Sequence, residues 1–270
     1  MKNLILIPLL FLSLIVHSQY KTPSLDTENL KGKIASYTTK TFLVSKNSDI
    51  LLLKYHVKYT FYKKGNIASI ENYRDGEKLD SKEIFEYENG KLAKHTIYNS
   101  TGTVSKTSLF SYDSNGNLAS QKKYTGQEKL QYDTSYLYNK KGQLTTQQKL
   151  IPSINYTMKE SYKYDDFDNL IIRTKTARIG TTKETFRYDS KGQPVKKSEY
   201  NAMGELFSVI IYEYNEQNDK TRLKKYDAAN KMTYHESYEY VYDANGNWVE
   251  KISSEKGKKV SEEKRNIKYY

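Results

Sequence analysis

The chain has 270 residues, of which 37% are apolar and 28% charged, with a formal net charge of +12, a composition too polar for a large three-dimensional core. Cysteine is absent, which excludes disulfides, a thiol nucleophile and a cysteine-linked lipid anchor. With 27 Tyr against 8 Phe and 1 Trp, the apolar content favours half-buried strand surfaces, where the ring packs and the hydroxyl stays wet.

Residues 1–18 read as a secretory signal peptide, since Lys2 precedes an apolar run from Leu4 to Val16 and the small Ser18 follows it. The run is shorter than the about 20 residues a membrane anchor needs. The expectation is an exported protein, periplasmic or extracellular, with no transmembrane segment after cleavage. Residues 19–58 form the N-terminal entry region, with one or two strands between Leu30 and Leu53.

From residue 59 to 252 a single motif keeps returning, as FSYDSNGNL at Phe110, YLYNKKGQL at Tyr136 and YVYDANGNW at Tyr240. Its second aromatic falls at Phe61, Tyr87, Tyr112, Tyr138, Tyr164, Tyr188, Tyr214 and Tyr242, at intervals of 24 to 28 residues. Fainter copies sit midway, as YNSTGTV at Tyr98, YNAMGEL at Tyr200 and YDAANKM at Tyr226. In YNKKGQL, Asn139 can cap a type I turn and Gly142 can take the left-handed bulge conformation that closes a hairpin. That geometry sets Tyr138 opposite Leu144, and the same spacing of six pairs Phe61 with Ile67, Tyr98 with Val104, Tyr112 with Leu118, Tyr164 with Leu170, Tyr200 with Leu206, Tyr226 with Met232 and Tyr242 with Trp248. Tyr188 meets Pro194 and Tyr214 meets Lys220, so those two hairpins are expected to be looser or shifted by one residue. In the shorter YENGKL, the Asn89-Gly90 pair suits a two-residue type I′ turn that leaves Tyr87 facing Leu92. Residues 253–270 are a last strand or a basic tail.

The predicted fold class is all-β: a long antiparallel meander of repeated β-hairpins, with a period of about 26, two strands per repeat and about 16 strands. Open sheets rarely exceed about ten strands without curling, so the expected form is one twisted, curled sheet.

FSYDSNGNL, YKYDDFDNL, FRYDSKGQP and YVYDANGNW resemble the YD repeats of bacterial RHS-type proteins, over Tyr59 to about Lys251. The opening LKGKIASYT at Leu30 is similar to the lead-in of short exported repeat proteins of this type from Bacteroidetes. In large members of that superfamily the repeats spiral into a shell around a toxin, and RHS repeats have been linked to carbohydrate binding. Here no toxin domain or autoproteolytic motif is recognisable and the repeats are too few to close a cocoon. The resemblance implies no catalytic residues.

DSNGN at Asp113 and DANGN at Asp243 gather oxygen side chains but lack the EF-hand order, so turn capping is the reading. Asp165, Asp166 and Asp168 crowd three carboxylates, and Asp168 can stand in for the turn glycine. His56, His95 and His235 lie in different repeats, and HES at His235 lacks the second histidine of HExxH. No GxSxG elbow and no phosphate-binding loop is present. No catalytic residue, metal or cofactor is expected. The functional expectation is a non-enzymatic binding or interaction surface for a glycan or an anionic envelope polymer. Two alternatives are a shell-like partner of a separately encoded effector protein and a carboxylate-dependent hydrolase. Nucleic acid is not the expected partner, because the Lys and Arg residues are spread over every repeat rather than gathered along one groove. The candidate ligand surface is Tyr112, Tyr138, Tyr164, Tyr188, Tyr214, Tyr242 and Trp248. Trp248, the lone Trp, reads either as a plug over the last apolar strip of a terminal repeat or as a platform for a sugar ring.

Overall fold

The structure is a computed structural model that describes residues 29–45, 50–74 and 77–270. The signal-peptide reading of residues 1–18 lies outside the described residues. Eighteen strands follow in chain order: β1 (Ile34–Val44), β2 (Leu51–Phe61), β3 (Ile67–Arg74), β4 (Lys78–Glu88), β5 (Lys91–Asn99), β6 (Val104–Tyr112), β7 (Leu118–Thr125), β8 (Leu130–Tyr138) and β9 (Leu144–Ile151). After a short 3-10 turn at Pro152–Ile154 come β10 (Tyr156–Tyr164), β11 (Leu170–Ala177), β12 (Gly180–Tyr188), β13 (Pro194–Tyr200), β14 (Leu206–Tyr214), β15 (Lys220–Asp227), β16 (Met232–Tyr242), β17 (Trp248–Glu255) and β18 (Lys258–Tyr269).

Each strand pairs antiparallel with its sequence neighbours, and β1 also pairs with β18. The meander is therefore one closed antiparallel barrel of eighteen strands, where the sequence led to a twisted, curled sheet of about 16. The repeat region 59–252 supplies the end of β2, β3 to β16 and most of β17, while the entry region adds β1 and most of β2, and the expected last strand or tail adds the end of β17 and β18. The edges β1 and β18 match over nine residue pairs, from Ile34 with Tyr269 to Leu43 with Ser261. Twist brings the ends of a long sheet together, and closure satisfies the row of backbone groups that each free edge would expose.

The spacing-of-six rule holds around the ring. Phe61 faces Ile67, Tyr112 faces Leu118, Tyr138 faces Leu144, Tyr164 faces Leu170 and Tyr242 faces Trp248. Tyr188 faces Pro194 and Tyr214 faces Lys220 in the same register, so the expected looseness of those two hairpins is not found. The backbone of the turn sets the register, and proline is tolerated as the first residue of a strand.

Side chains alternate between two walls. Traced through the register, one wall carries Tyr59, Phe85, Ser108, Thr134, Tyr136 and Phe186, all buried, while the other carries the exposed Leu109, Leu137 and Val241. Side chains converge inside a closed curve and splay outside it, so the buried set is the inner wall. The outer wall bears ion pairs such as Lys58–Glu71–Lys82, Lys94–Glu86, Lys122–Asp133 and Arg222–Glu213–Lys224. A lipid-facing barrel carries an outward apolar band about 25 Å tall, and among the described residues these ion pairs interrupt the outer wall. Among the described residues, no helix is long and apolar enough to cross a membrane.

The apolar core concentrates beside the seam, where Leu30, Ile34, Tyr37, Tyr59, Phe61, Ile67, Ile70, Phe85 and Leu92 form one cluster. Tyr37 stacks on Tyr59 at 4.4 Å, and the Arg265 guanidinium lies 5.0 Å from the Tyr37 ring and 3.5 Å from that of Trp248. Trp248, Arg265, Tyr37 and Tyr59 thus make a row across β17, β18, β1 and β2. Hydrogen bonds finish the seam: the Asn247 side chain accepts from the Lys31 N–H and donates to the Lys31 carbonyl, and the Tyr270 hydroxyl donates to the Phe61 carbonyl.

Candidate functional site

The stronger turns share one rim of the barrel, and their chemistry starts with a single side chain. Asp113 Oδ1 accepts the N–H groups of Asn115 and Asn117, and its Oδ2 accepts from the Asn117 side chain. Gly116, at φ +85, turns the chain back. Asn139 repeats the arrangement with Lys141 and Gln143, as does Asp165 with Phe167 and Asn169. Where glycine is missing, Asp168 (φ 66) and Asn218 (φ 68) take the left-handed position, as residues with short polar side chains can. In the shorter copy, Asn89 (φ 50) and Gly90 (φ 77) both have positive φ, and Tyr87 faces Leu92. The Asp113, Asp165 and Asp243 carboxyls are held below their ordinary values: slight desolvation opposes the shift, and the hydrogen bonds they accept outweigh it.

The tyrosines at the head of each turn reach back to the preceding repeat. Tyr112 donates to the Leu92 carbonyl at 2.9 Å, Tyr164 to Leu144 at 2.8 Å, Tyr188 to Leu170 at 2.8 Å and Tyr214 to Pro194 at 2.9 Å. Proline serves here as well as leucine because the acceptor is a carbonyl. In the last repeat Tyr240 takes this role, donating to Lys220, and Tyr242 turns to the Asp219 carboxylate. Tyr138 keeps its place, but its buried hydroxyl has no partner. Burial pushes Tyr138, Tyr164 and Tyr188 up to about 12. The rings are thus half-buried staples between repeats, and six of the seven candidate ligand residues stand in this row at one rim.

Trp248 opens β17 directly across from Tyr242, beside Tyr240 and under the Arg265 guanidinium. The strip it was expected to end continues into β18 and β1. The plug reading loses its premise, since a closed barrel has no terminal strip to cover. Trp248 instead packs within the closing seam.

Neighbouring turns are cross-linked: Gln143 donates to Asp168 at 2.8 Å, and Gln193 to Asn218 at 3.1 Å. Between linked turns lie open grooves. One, of about 670 Å³, is bordered by Lys191, Gln193, Tyr212, Tyr214, Glu216 and Gln217. Another, of about 580 Å³, has the same place two repeats away, bordered by Lys140, Lys141, Gln143, Tyr162, Tyr164 and Asp166. Amide, carboxylate, ammonium and phenol groups line both. Of the candidate residues, Tyr164 and Tyr214 reach these grooves.

The inner wall holds what sequence reasoning missed. Arg173, Glu184, Lys197, Glu199 and Lys225 form a continuous ion-pair chain across β11 to β15. Its visible signal is Lys197 and Glu199, two apart and so on one strand face. Burial opposes ionisation of Glu199, but Lys197, the Ser208 hydroxyl and Lys225 pull it down to about 2. The histidines stay dispersed: His95 bonds Glu83 at 2.8 Å and stacks on Phe85, and His56 stacks on Tyr73. Among the described residues no group of three or more His, Asp or Glu could hold a metal ion.

No family model and no curated protein matches the chain. Among solved structures, a porin-like protein from Bacteroides uniformis is similar at 12% identity and TM-score 0.47, covering 88% of this chain and 98% of that one. The TcdB2-TccC3-Cdc42 structure is similar at 14% identity and TM-score 0.20, over 82% of this chain and 13% of that one. A putative outer membrane lipoprotein-sorting protein domain from Vibrio parahaemolyticus is similar at 10% identity and TM-score 0.22, covering 91% and 92%. At these scores the likenesses carry no statement about activity.

Proposed function

We propose that the chain is an exported, non-enzymatic repeat barrel whose turn-bearing rim is a binding surface for an envelope glycan. The observation that carries this is the recurrence of one groove, with tyrosine, amide and charged side chains in the same places two repeats apart. Neighbouring strands are about 4.8 Å apart, so like grooves recur at a fixed interval along the rim. A polymer with its own repeat can engage several at once, and weak single contacts then multiply through effective concentration. The hydroxyl-rich surface of a sugar chain suits amide and carboxylate groups, and the Tyr162, Tyr164, Tyr212 and Tyr214 phenols add amphipathic ring surface at the borders. Export is supported by the apolar leader at residues 4–16. The resemblance to YD repeats agrees with a glycan ligand.

The test is retention of isolated envelope glycans by the full-length mature protein, compared with a variant combining Lys191→Ala and Gln217→Ala in one groove with Lys140→Ala and Asp166→Ala in the other. None of these side chains caps a turn, so the fold is expected to persist. Retention by the unaltered protein and its loss in the variant supports the rim. Equal retention by both, or none by either, overturns it.

A further inference from the structure

The inner wall is electrostatically lopsided. Over β10 to β18, Arg173, Lys175, Lys197, Lys225 and Lys251 each face a carboxylate. Over β6 to β9 the register places Lys106, Lys123 and Lys149 on the same wall, and among the described residues none of the three has a carboxylate within ion-pair distance. Two of them converge on one ring: the Lys123 ammonium is 5.6 Å and the Lys149 ammonium 4.1 Å from the centre of Tyr132. The ring's negative face holds the two like charges together at a cost of mutual repulsion, a cost that a bound anion would remove.

We propose that this arc is a binding site for an acidic polysaccharide, a strand bearing uronate carboxylates. Lys106, Lys123 and Lys149 each lie two residues from the strand end at the mouth opposite the groove-bearing rim, so the site opens to a chain entering there. Lys106 is exposed and Lys123 and Lys149 are half-buried, so their ammonium groups can be reached from that mouth. Beside the ammonium groups the wall carries the half-buried Gln121 and Gln147, on the two strands that flank β8. Ammonium groups suit carboxylates, and the amides suit sugar hydroxyls. Because lysines already sit on Tyr132, its ring is not offered to a nucleic-acid base, which favours a sugar acid over a single-stranded nucleic acid.

The experiment is calorimetric titration of the mature protein with oligogalacturonate, neutral dextran, polyphosphate and poly(dT) at physiological ionic strength. The variant K106Q/K123Q/K149Q should bind oligogalacturonate at least about tenfold more weakly, while the matching Arg variant should retain binding. An outer-wall control, K159Q/K183Q/K196Q, removes as much charge and should leave affinity unchanged. Rim variants should not alter it either, so the two sites fail separately. The proposal is overturned if oligogalacturonate does not bind, if the outer control weakens binding equally, or if polyphosphate or poly(dT) binds as tightly.

Discussion

A tyrosine hydroxyl in this barrel has one of two fates, and the difference is measurable. Tyr164 donates to the Leu144 carbonyl at 2.8 Å, whereas the Tyr138 hydroxyl, one repeat earlier, is buried without a partner. An intramolecular hydrogen bond contributes about 1 kcal/mol, and an unmatched buried polar atom costs about 1–3 kcal/mol. Tyr164→Phe is therefore expected to lower unfolding free energy by about 1 kcal/mol, and Tyr138→Phe to leave it unchanged or raise it. Urea denaturation of the two variants checks this, and equal losses would remove the stapling role. The abundance of Tyr over Phe was legible as a preference for half-buried strands. Its cause was not, because the acceptor is a carbonyl in another repeat, about 20 residues away.

At the scale of the element, hairpins were readable because a capped turn, a left-handed residue and a pair six apart are all local. The reading of Pro194 and Lys220 as defects assumed that the apolar side chain sets the register, while the turn's own hydrogen bonds do: Asp189 holds the N–H groups of Lys191 and Gln193. The ion-pair chain across β11 to β15 was less legible, since it depends on which strands become neighbours. It makes stability depend on acid in a defined way. The folded Glu199 carboxyl lies near 2, below its ordinary 4.5, so its contribution is fully present above pH 4.5 and is lost as pH falls from there toward 2. Glu199→Gln should lower stability at neutral pH by at most about 3 kcal/mol and flatten the loss across that interval, so that the two proteins converge near pH 2. Parallel acid dependence in both would mean that Glu199 is not held in this chain.

At the scale of the molecule the deciding contact joins β1 to β18, more than 200 residues apart, and no periodicity within the repeats announces it. Bringing the two strands together costs loop-closure entropy, which grows slowly with length, so the seam must hold by its own contacts. It has the Trp248, Arg265, Tyr37 and Tyr59 row, the Asn247 clasp on Lys31 and the Tyr270 bond to Phe61. The absence of native cysteine makes closure testable. Thr38 and Asn266 are register partners across the seam, and directly opposed residues of antiparallel strands have Cβ atoms about 4.5–5.5 Å apart, close enough for modest adjustment to form a disulfide. Thr38→Cys with Asn266→Cys is expected to oxidise as completely as Thr146→Cys with Ser161→Cys, partners across β9 and β10. The seam bond should also stabilise more than the β9–β10 bond, because the loop it closes in the unfolded chain is far longer, although strain can absorb part of the gain. An open ribbon would oxidise only at the β9–β10 pair, or would form disulfides between molecules through its two free edges. Non-reducing electrophoresis and light scattering distinguish these outcomes, and a seam pair that stays reduced in the folded protein would return the molecule to an open sheet.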